Sequence, residues 1–183
     1  MKTIATARLR LRPLHPADGP SLLALFNNWN VIRWLAPVPW PYTPQMHAEF
    51  LAHAASRADS LSPIHAILLD GKPIGQIECG GQPCISAPAD REDVGFWLGE
   101  PYWGRGYLTE ALAALVAHVF AERRDVAVIR SGWFEGNAGS ARVHEKAGFE
   151  VVELVMKPCL AQGRDLPLWT ARLTRARYEG LQR

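Results

Sequence analysis

Hydrophobic and polar positions alternate over Leu9-Arg10-Leu11-Arg12-Pro13-Leu14. That is the two-residue period of a half-buried strand, with Pro13 suited to its end. The period lengthens over residues 16–28, where Leu22, Leu23, Leu25 and Phe26 predict a helix, and Val31 to Leu35 adds a short helical turn. Pro37-Val38-Pro39-Trp40-Pro41-Tyr42 cannot continue it, because proline removes backbone donors and fixes φ. With Trp29 and Trp34 this stretch makes a rigid aromatic loop, either a wall of a pocket or packing for the short helices. Thr43-Pro44 is a hydroxyl N-cap followed by proline at the first helical position, so a helix runs from there to about Arg57.

Ile64 to Leu69 and Lys72 to Cys79 read as strands joined by the two-residue turn Asp70-Gly71. Gly80 to Arg91 lacks periodicity and predicts a loop. Asp93 to Leu98 is the next strand, in which Gly95 suggests a bulge or a close backbone approach. Leu108, Ala111, Leu112, Leu115, Val116, Val119 and Phe120 form one apolar face of a helix over 107–122. Val126 to Trp133 is a strand, residues 137–147 a helix ending at Gly148, and Phe149 to Met156 and Leu166 to Leu173 two last strands. Hairpins mixed with strand-helix-strand units predict a mixed sheet with helices on both faces, of α/β (α+β) class, in one domain over residues 1–183.

The junction Pro101-Tyr102-Trp103-Gly104-Arg105-Gly106-Tyr107-Leu108-Thr109-Glu110 changes the picture from fold to chemistry. Two glycines lie between a buried strand and a long helix. Glycine permits positive φ and close ligand approach. The first N–H groups of a helix lack partners inside it, and the helix dipole favours an anion there. The stretch therefore reads as a phosphate cradle with Arg105 as an added cation, or as a plain strand-to-helix turn. It is not a Walker loop, and Thr109 stands where a third glycine would complete the dinucleotide fingerprint. In the second constellation, Asn137-Ala138-Gly139-Ser140-Ala141-Arg142-Val143-His144-Glu145-Lys146-Ala147-Gly148-Phe149, Asn137 is a strong N-cap.

The first stretch resembles the acetyl-coenzyme A loop of the GNAT N-acetyltransferases, written Gln/Arg-x-x-Gly-x-Gly/Ala. Gly104 and Gly106 match, and Pro101 departs from it. The wording from Tyr102 to Ala111 is similar to the branch containing the ribosomal-protein-alanine N-acetyltransferases. Asn137 to Phe149 resembles the second motif of the same superfamily. The resemblance spans Arg8 to Thr170 and implies a mixed, mostly antiparallel twisted sheet of six to seven strands with helices on both faces. It implies acetyl transfer from acetyl-coenzyme A, as cosubstrate, to a primary amine by direct attack in a ternary complex. That amine is a protein N-terminus or a small-molecule amine. The alternative is a catalytically silent coenzyme A binding module.

By the same resemblance, the backbone of Phe96, Trp97 and Leu98, the loop Gly104, Arg105, Gly106, Tyr107, Leu108 and Thr109, and Asn137, Ser140 and Lys146 hold the cofactor. Asp93 is the first candidate for the base, ahead of Glu92 and Glu78. The tyrosine that protonates the leaving thiolate in many members is replaced by His144, so the acid is Ser140, His144 or water. Val31 to Tyr42 and Lys157 to Asp165 are expected to shape the acceptor site.

A neutral amine must attack. Deprotonating a lysine amine at neutral pH costs roughly 4.6 kcal/mol and an α-amine only about 1 kcal/mol. A base therefore matters more for a lysine-like acceptor. A net charge of +2 is too mild for a nucleic-acid surface. The C-terminal arginines Arg164, Arg172, Arg175, Arg177 and Arg183 read as a solvated face. No apolar run is long enough for a membrane span. Cys79, Cys84 and Cys159 are too few and too scattered for a zinc site, so no metal is expected. An odd, sparse cysteine count suits a reducing, cytoplasmic compartment. A homodimer is left open.

Overall fold

The computed structural model describes residues 3–60, 62–80 and 91–182. The predicted loop over 80–91 and Cys84 lie almost wholly outside the described residues. The elements are β1 (Ile4–Ala5), β2 (Leu9–Pro13), α1 (Gly19–Phe26), α2 (Trp29–Ile32), α3 (Pro44–Ser56), β3 (Ile64–Leu69), β4 (Lys72–Cys79), β5 (Arg91–Leu98), α4 (Tyr107–Glu122), β6 (Val128–Phe134), α5 (Ala138–Lys146), β7 (Glu150–Cys159), β8 (Arg164–Thr174) and α6 (Arg175–Leu181). They form one eight-stranded sheet of order β1-β2-β3-β4-β5-β6-β8-β7. All pairings are antiparallel except β5 with β6.

The eighth strand is β1, a two-residue pairing with β2 too short to show a period. Helix α6 was also not expected. Its arginines looked like a solvated face, but Arg175 donates to the carbonyls of Phe120, Arg123 and Val126, and Arg177 to Gly148 O and Glu150. They close the C-terminal end of α4 and the turn after α5, which polarity alone could not reveal.

Alternation along the strands feeds two cores on opposite faces of the sheet. On one face Leu9, Leu11, Ile67, Ile77 and Val94 pack on Leu112, Leu115, Val119 and Phe120 of α4. On the other, Ala66, Leu68 and Trp97 pack on Leu22 and Phe26 of α1, Ile32 of α2 and Ala54 of α3. A third cluster of Phe134, Cys159 and Leu168 lies where β6, β7 and β8 meet, with Trp34 and Val155 against it. Thr43 Oγ1 accepts from Met46 N at 3.2 Å, and Asp70 and Gly71 both have positive φ, as the cap and hairpin signals require. Gly95 carries no bulge. It pairs regularly with Glu78, and the register shifts lie at Ile67/Leu68 and Val151/Glu153.

Candidate active site

The parallel pair β5–β6 is incomplete. Only Arg91 to Asp93 pair with Val128 to Arg130, and beyond that point the two strands part. The opening lies at the centre of the sheet. Backbone direction around it follows from the bonds already made. Gly99 N donates to Ile74 O and Gly80 N to Asp93 O, so Asp93, Gly95 and Trp97 turn their N–H and C=O groups toward β4. Val94, Phe96 and Leu98 then face the opening. Val94 O is taken by Ser131 Oγ at 3.0 Å and Leu98 O by the Trp103 indole N–H at 2.7 Å. The N–H groups of Phe96 and Leu98 remain as donors along the gap. Trp97, assigned to the cofactor with them, turns its N–H to β4 and its ring into the opposite core, where it donates to Gln76 at 2.5 Å.

The cradle lies just beyond. Gly104 and Gly106 have φ of 74° and 78°, and nothing lies within 4 Å of a Cβ built at Gly104. Gly106 is the N-cap of α4 and supplies no side-chain cap. The N–H groups of Arg105, Gly106, Tyr107, Leu108 and Thr109 have no partner among the described residues. Sixteen helical residues follow, so the dipole is well developed. By contrast, the N-terminus of α5 is already closed by Asn137 Oδ1, which accepts from Ser140 N at 3.1 Å.

Arg8 is a second cation at this loop. Its Nη1 donates to Arg105 O at 3.0 Å, its guanidinium lies 4.6 Å from the Tyr107 ring centroid, and its Nε meets Glu110 at 2.7 Å. Burial works to raise the Glu110 carboxyl, but hydrogen bonds from Thr6 and Arg8 outweigh it and hold it below its ordinary value. Sequence reading missed this pair because 102 residues separate the partners. A glutamate in a first helical turn also satisfies the helix dipole without one.

His144 fills the base of the opening. It is 1% exposed and packs against Phe96, Trp133 and Phe149 at centroid distances of 5.1, 4.8 and 5.3 Å. Nδ1 lies 2.8 Å from Ser140 O, which can only accept, so Nδ1 carries the proton; Nε2 is left as an acceptor 2.7 Å from Ser131 Oγ, whose one hydroxyl proton is shared between Nε2 and Val94 O. Burial lowers its pKa to about 4, so the ring is neutral at pH 7. One of the three candidates for the acid is thus a buried, uncharged residue. Ser140 Oγ, 3.5 Å from His144 Nδ1, is only partly buried.

Each carboxylate candidate for the base is ion-paired. Asp93 lies 3.1 Å from Arg130, Glu92 3.0 Å from Arg123 and Glu78 3.0 Å from Arg57. Glu92 and Asp93 alternate across the strand, so Glu92 is tied to the end of α4 while Asp93 meets β6. Lys146 stands at the opposite end of α5 from Asn137, lining a cavity of about 490 Å³ between α4, α5 and α6. Among the described residues no group of three His, Cys, Asp or Glu could hold a metal ion. Among the described residues no helix is long and apolar enough to cross a membrane.

The two segments expected to shape the acceptor site meet. Arg33 O accepts from Gln162 Nε2 at 3.0 Å and Cys159 Sγ at 3.6 Å, and Leu160 N donates to Ala36 O at 3.1 Å. Asn28 and Asn30 grip Glu100 at 2.6 and 3.0 Å, fixing α2 beside the turn that leads to the cradle. The aromatic loop divides its work. Tyr42 is buried against Phe26, while Trp29 and Trp40 stay exposed, their rings 5.6 Å apart.

The family profile described as "Acetyltransferase (GNAT) domain" matches residues 8–150. The chain belongs to the GNAT acetyltransferase family. Solved structures agree on the fold. The acetyltransferase from Salmonella typhimurium that modifies the N-terminal serine of ribosomal protein L7/L12 superposes with a TM-score of 0.79 at 16% identity, over 94% of this chain and 99% of that one. The L7/L12 α-N-protein acetyltransferase RimL in complex with coenzyme A gives 0.78 at 17%, over 94% and 98%. An acetyltransferase from T. thermophilus gives 0.81 at 20%, over 100% and 94%. The acetyltransferase described here shares their mixed, mostly antiparallel sheet.

Proposed function

We propose that this acetyltransferase moves an acetyl group from acetyl-coenzyme A to a primary amine of low basicity, of which a peptide α-amine is the leading class, by direct attack in a ternary complex. The carrying observation is the run of unpartnered N–H groups from Arg105 to Thr109 at the uncapped start of α4, adjoining the parted strands. These groups, with Arg105 and Arg8, fit a pyrophosphate. The thioester supplies an activated acyl carbon and a good leaving group. Phe96 N–H is aimed into the gap, where a fixed donor stabilises the oxyanion that develops on the carbonyl. Ser140 Oγ is the hydroxyl nearest the start of α5 for the departing thiolate. His144, neutral and bonded to Ser131, keeps water out of the base of the gap and holds α5 against the strands.

The preference for a weakly basic amine rests on the carboxylates. Asp93, Glu92 and Glu78 each commit a carboxylate oxygen to an arginine, which leaves fewer acceptor oxygens for an incoming amine. An amine that loses its proton at small cost needs less help. Asp93, the nearest of the three to the parted strands, then acts by fixing Arg130 and β6.

Calorimetric titration with acetyl-coenzyme A tests the cradle. Thiol release with a panel of peptides bearing free or blocked α-amines, and with lysine side-chain amines, tests the acceptor. We expect binding, and release that depends on a free α-amine. No binding would reduce the family relation to a shared fold. Binding with no release across the panel would favour a silent coenzyme-binding module. Faster transfer to lysine side chains would overturn the acceptor class.

A further inference from the structure

We propose that Arg33 selects the acceptor, its guanidinium taking a carboxylate that lies close to the attacked amine; the role rests on the transfer to an amine proposed above. Cofactor and acceptor reach the parted strands from different faces. Helix α4 packs on the face that carries Ile67, Ile77 and Val94, and Val143 and Ala147 of α5 lie with it. Trp133 of β6 is on that side, beside His144. Phe134 alternates to the other face, where Trp34 packs against it. A coenzyme held at the start of α4 occupies the first face, so the nucleophile comes from the second.

On that second face α2 is anchored at both sides of the opening. At the β5 side Asn28 and Asn30 hold Glu100 at 2.6 and 3.0 Å. At the β6 side the Trp34 ring lies 3.6 Å from a Cβ built at Gly136, the residue before Asn137. Arg33, the C-cap of α2, stands between these anchors. Its carbonyl accepts from Gln162 Nε2 at 3.0 Å, and its guanidinium lies 4.8 Å from the Trp34 ring centroid.

This guanidinium has a platform but no anion. Arg33 Nε is buried with no hydrogen-bond partner, and a buried donor on a cation is costly until something accepts from it. Arg8, Arg12, Arg57, Arg123 and Arg130 each meet a carboxylate, whereas among the described residues none lies within ion-pairing distance of Arg33. No Asp or Glu occurs between Asp18 and Glu49. Glu100 is already taken by two asparagine amides, and Glu135, beside Gly136, makes no ion pair with Arg33. Stacking on Trp34 holds the planar fork in place, ready for both oxygens of a carboxylate. The four residues of α2 span about 6 Å, the length of about two extended residues. The carboxylate therefore belongs to the second or third residue of a peptide, or is the α-carboxylate of a free amino acid.

Thiol release from acetyl-coenzyme A tests this. The acceptors are amidated peptides with an N-terminal alanine and Asp, Asn or Lys at the second or third position, together with free alanine and alaninamide. We expect kcat/KM for the Asp peptide to exceed that for the Asn peptide by about tenfold, chiefly through KM, the size of one charge-assisted contact. A larger ratio of alanine to alaninamide also upholds Arg33 and assigns the carboxylate to a free amino acid. Arg33→Gln should bring the Asp/Asn ratio to about one, and Arg33→Glu should shift the preference to Lys. A merely structural role would lower all acceptors together and leave the ratio unchanged. Calorimetry with acetyl-coenzyme A and far-ultraviolet circular dichroism check that each variant is folded and holds the cofactor. Wild-type ratios near one in both series overturn the role without any variant, and a ratio that survives in Arg33→Gln overturns it as well. Release that ignores the carboxylate is a failure of this role alone. Coenzyme binding with no release from any acceptor is a failure of the transfer itself and takes the role with it.

Discussion

Two buried histidines make this protein acid-sensitive in a defined window. Burial lowers His144 from 6.5 to about 4. His65 on β3 is lowered likewise to about 4, first by burial and then by the nearby His118. Among the described residues neither ring nitrogen of His65 has a partner at hydrogen-bond geometry, and the residue is 1% exposed. In the unfolded chain both rings take up protons near 6.5, while in the native state they resist until about 4. The unfolded state therefore binds more protons in this window, and stability falls as pH drops through it. With about 1.36 kcal/mol for each pKa difference of one, each ring contributes about 3 kcal/mol of loss. Together they amount to about 6–7 kcal/mol, comparable to the whole stability of a domain, about 5–15 kcal/mol. His47, also lowered by burial, adds in the same direction.

Asp18 and Glu110 are held below their ordinary values of 3.8 and 4.5, so their stabilising effect begins to be lost as pH falls toward those values. The histidine contribution is therefore read from the upper part of the window, above about 5. Urea unfolding at a series of pH values between 6.5 and about 4 reads the slope. His144→Phe should be less stable at neutral pH by about 1–3 kcal/mol, because the Ser131 hydroxyl and Ser140 carbonyl lose their partner. Its slope with pH should be shallower by up to about 1.4 kcal/mol per pH unit. A flat wild-type profile, or an unchanged slope in His144→Phe, refutes the assignment of the proton to the ring only in the unfolded chain.

Other expectations follow from the site. Arg8→Ala should weaken acetyl-coenzyme A binding by about fivefold to tenfold, the size of one charge-assisted contact, and a calorimetric constant equal to wild type would remove Arg8 from the cradle. Asp93→Asn should lower stability by about 1–3 kcal/mol, because it removes the negative charge facing the largely buried Arg130 guanidinium. It should also keep the pH profile of kcat/KM, and loss of the acidic limb of that profile would restore Asp93 as the base. Gln162→Ala unties the 159–162 turn from Arg33 and should raise KM for the acceptor with coenzyme affinity unchanged. A loss of coenzyme binding would show that this turn does not belong to the acceptor side.

Much of this was legible because each signal was local. The alternation in β2 and β3, the Thr43-Pro44 cap, the Asp70-Gly71 turn and the apolar face of α4 each fix a conformation within a few residues. So did the pair Gly104 and Gly106, whose positive φ is what a strand-to-helix cradle requires. What stayed hidden depends on contacts far apart in the chain. Glu110 binding Arg8, Arg130 binding Asp93 and Arg175 binding the end of α4 have no signature in spacing. His144 misled for a related reason. Its neighbours on the helix, Glu145 and Lys146, are polar, and only the parting of β5 and β6 makes room for a buried imidazole.

The position of β8 bears on how the chain comes to be folded as it is made. β8 is synthesised after both β6 and β7, yet it lies between them, and Arg175 just after it closes the far end of the helix whose start forms the cradle. Until those residues leave the ribosome, β6 and β7 have no strand to share and their apolar faces stay open. Folding of this half must therefore wait until β8 has emerged, and a ribosome stalled before that point would hold a nascent protein with the adhesive strands β6 and β7 uncovered.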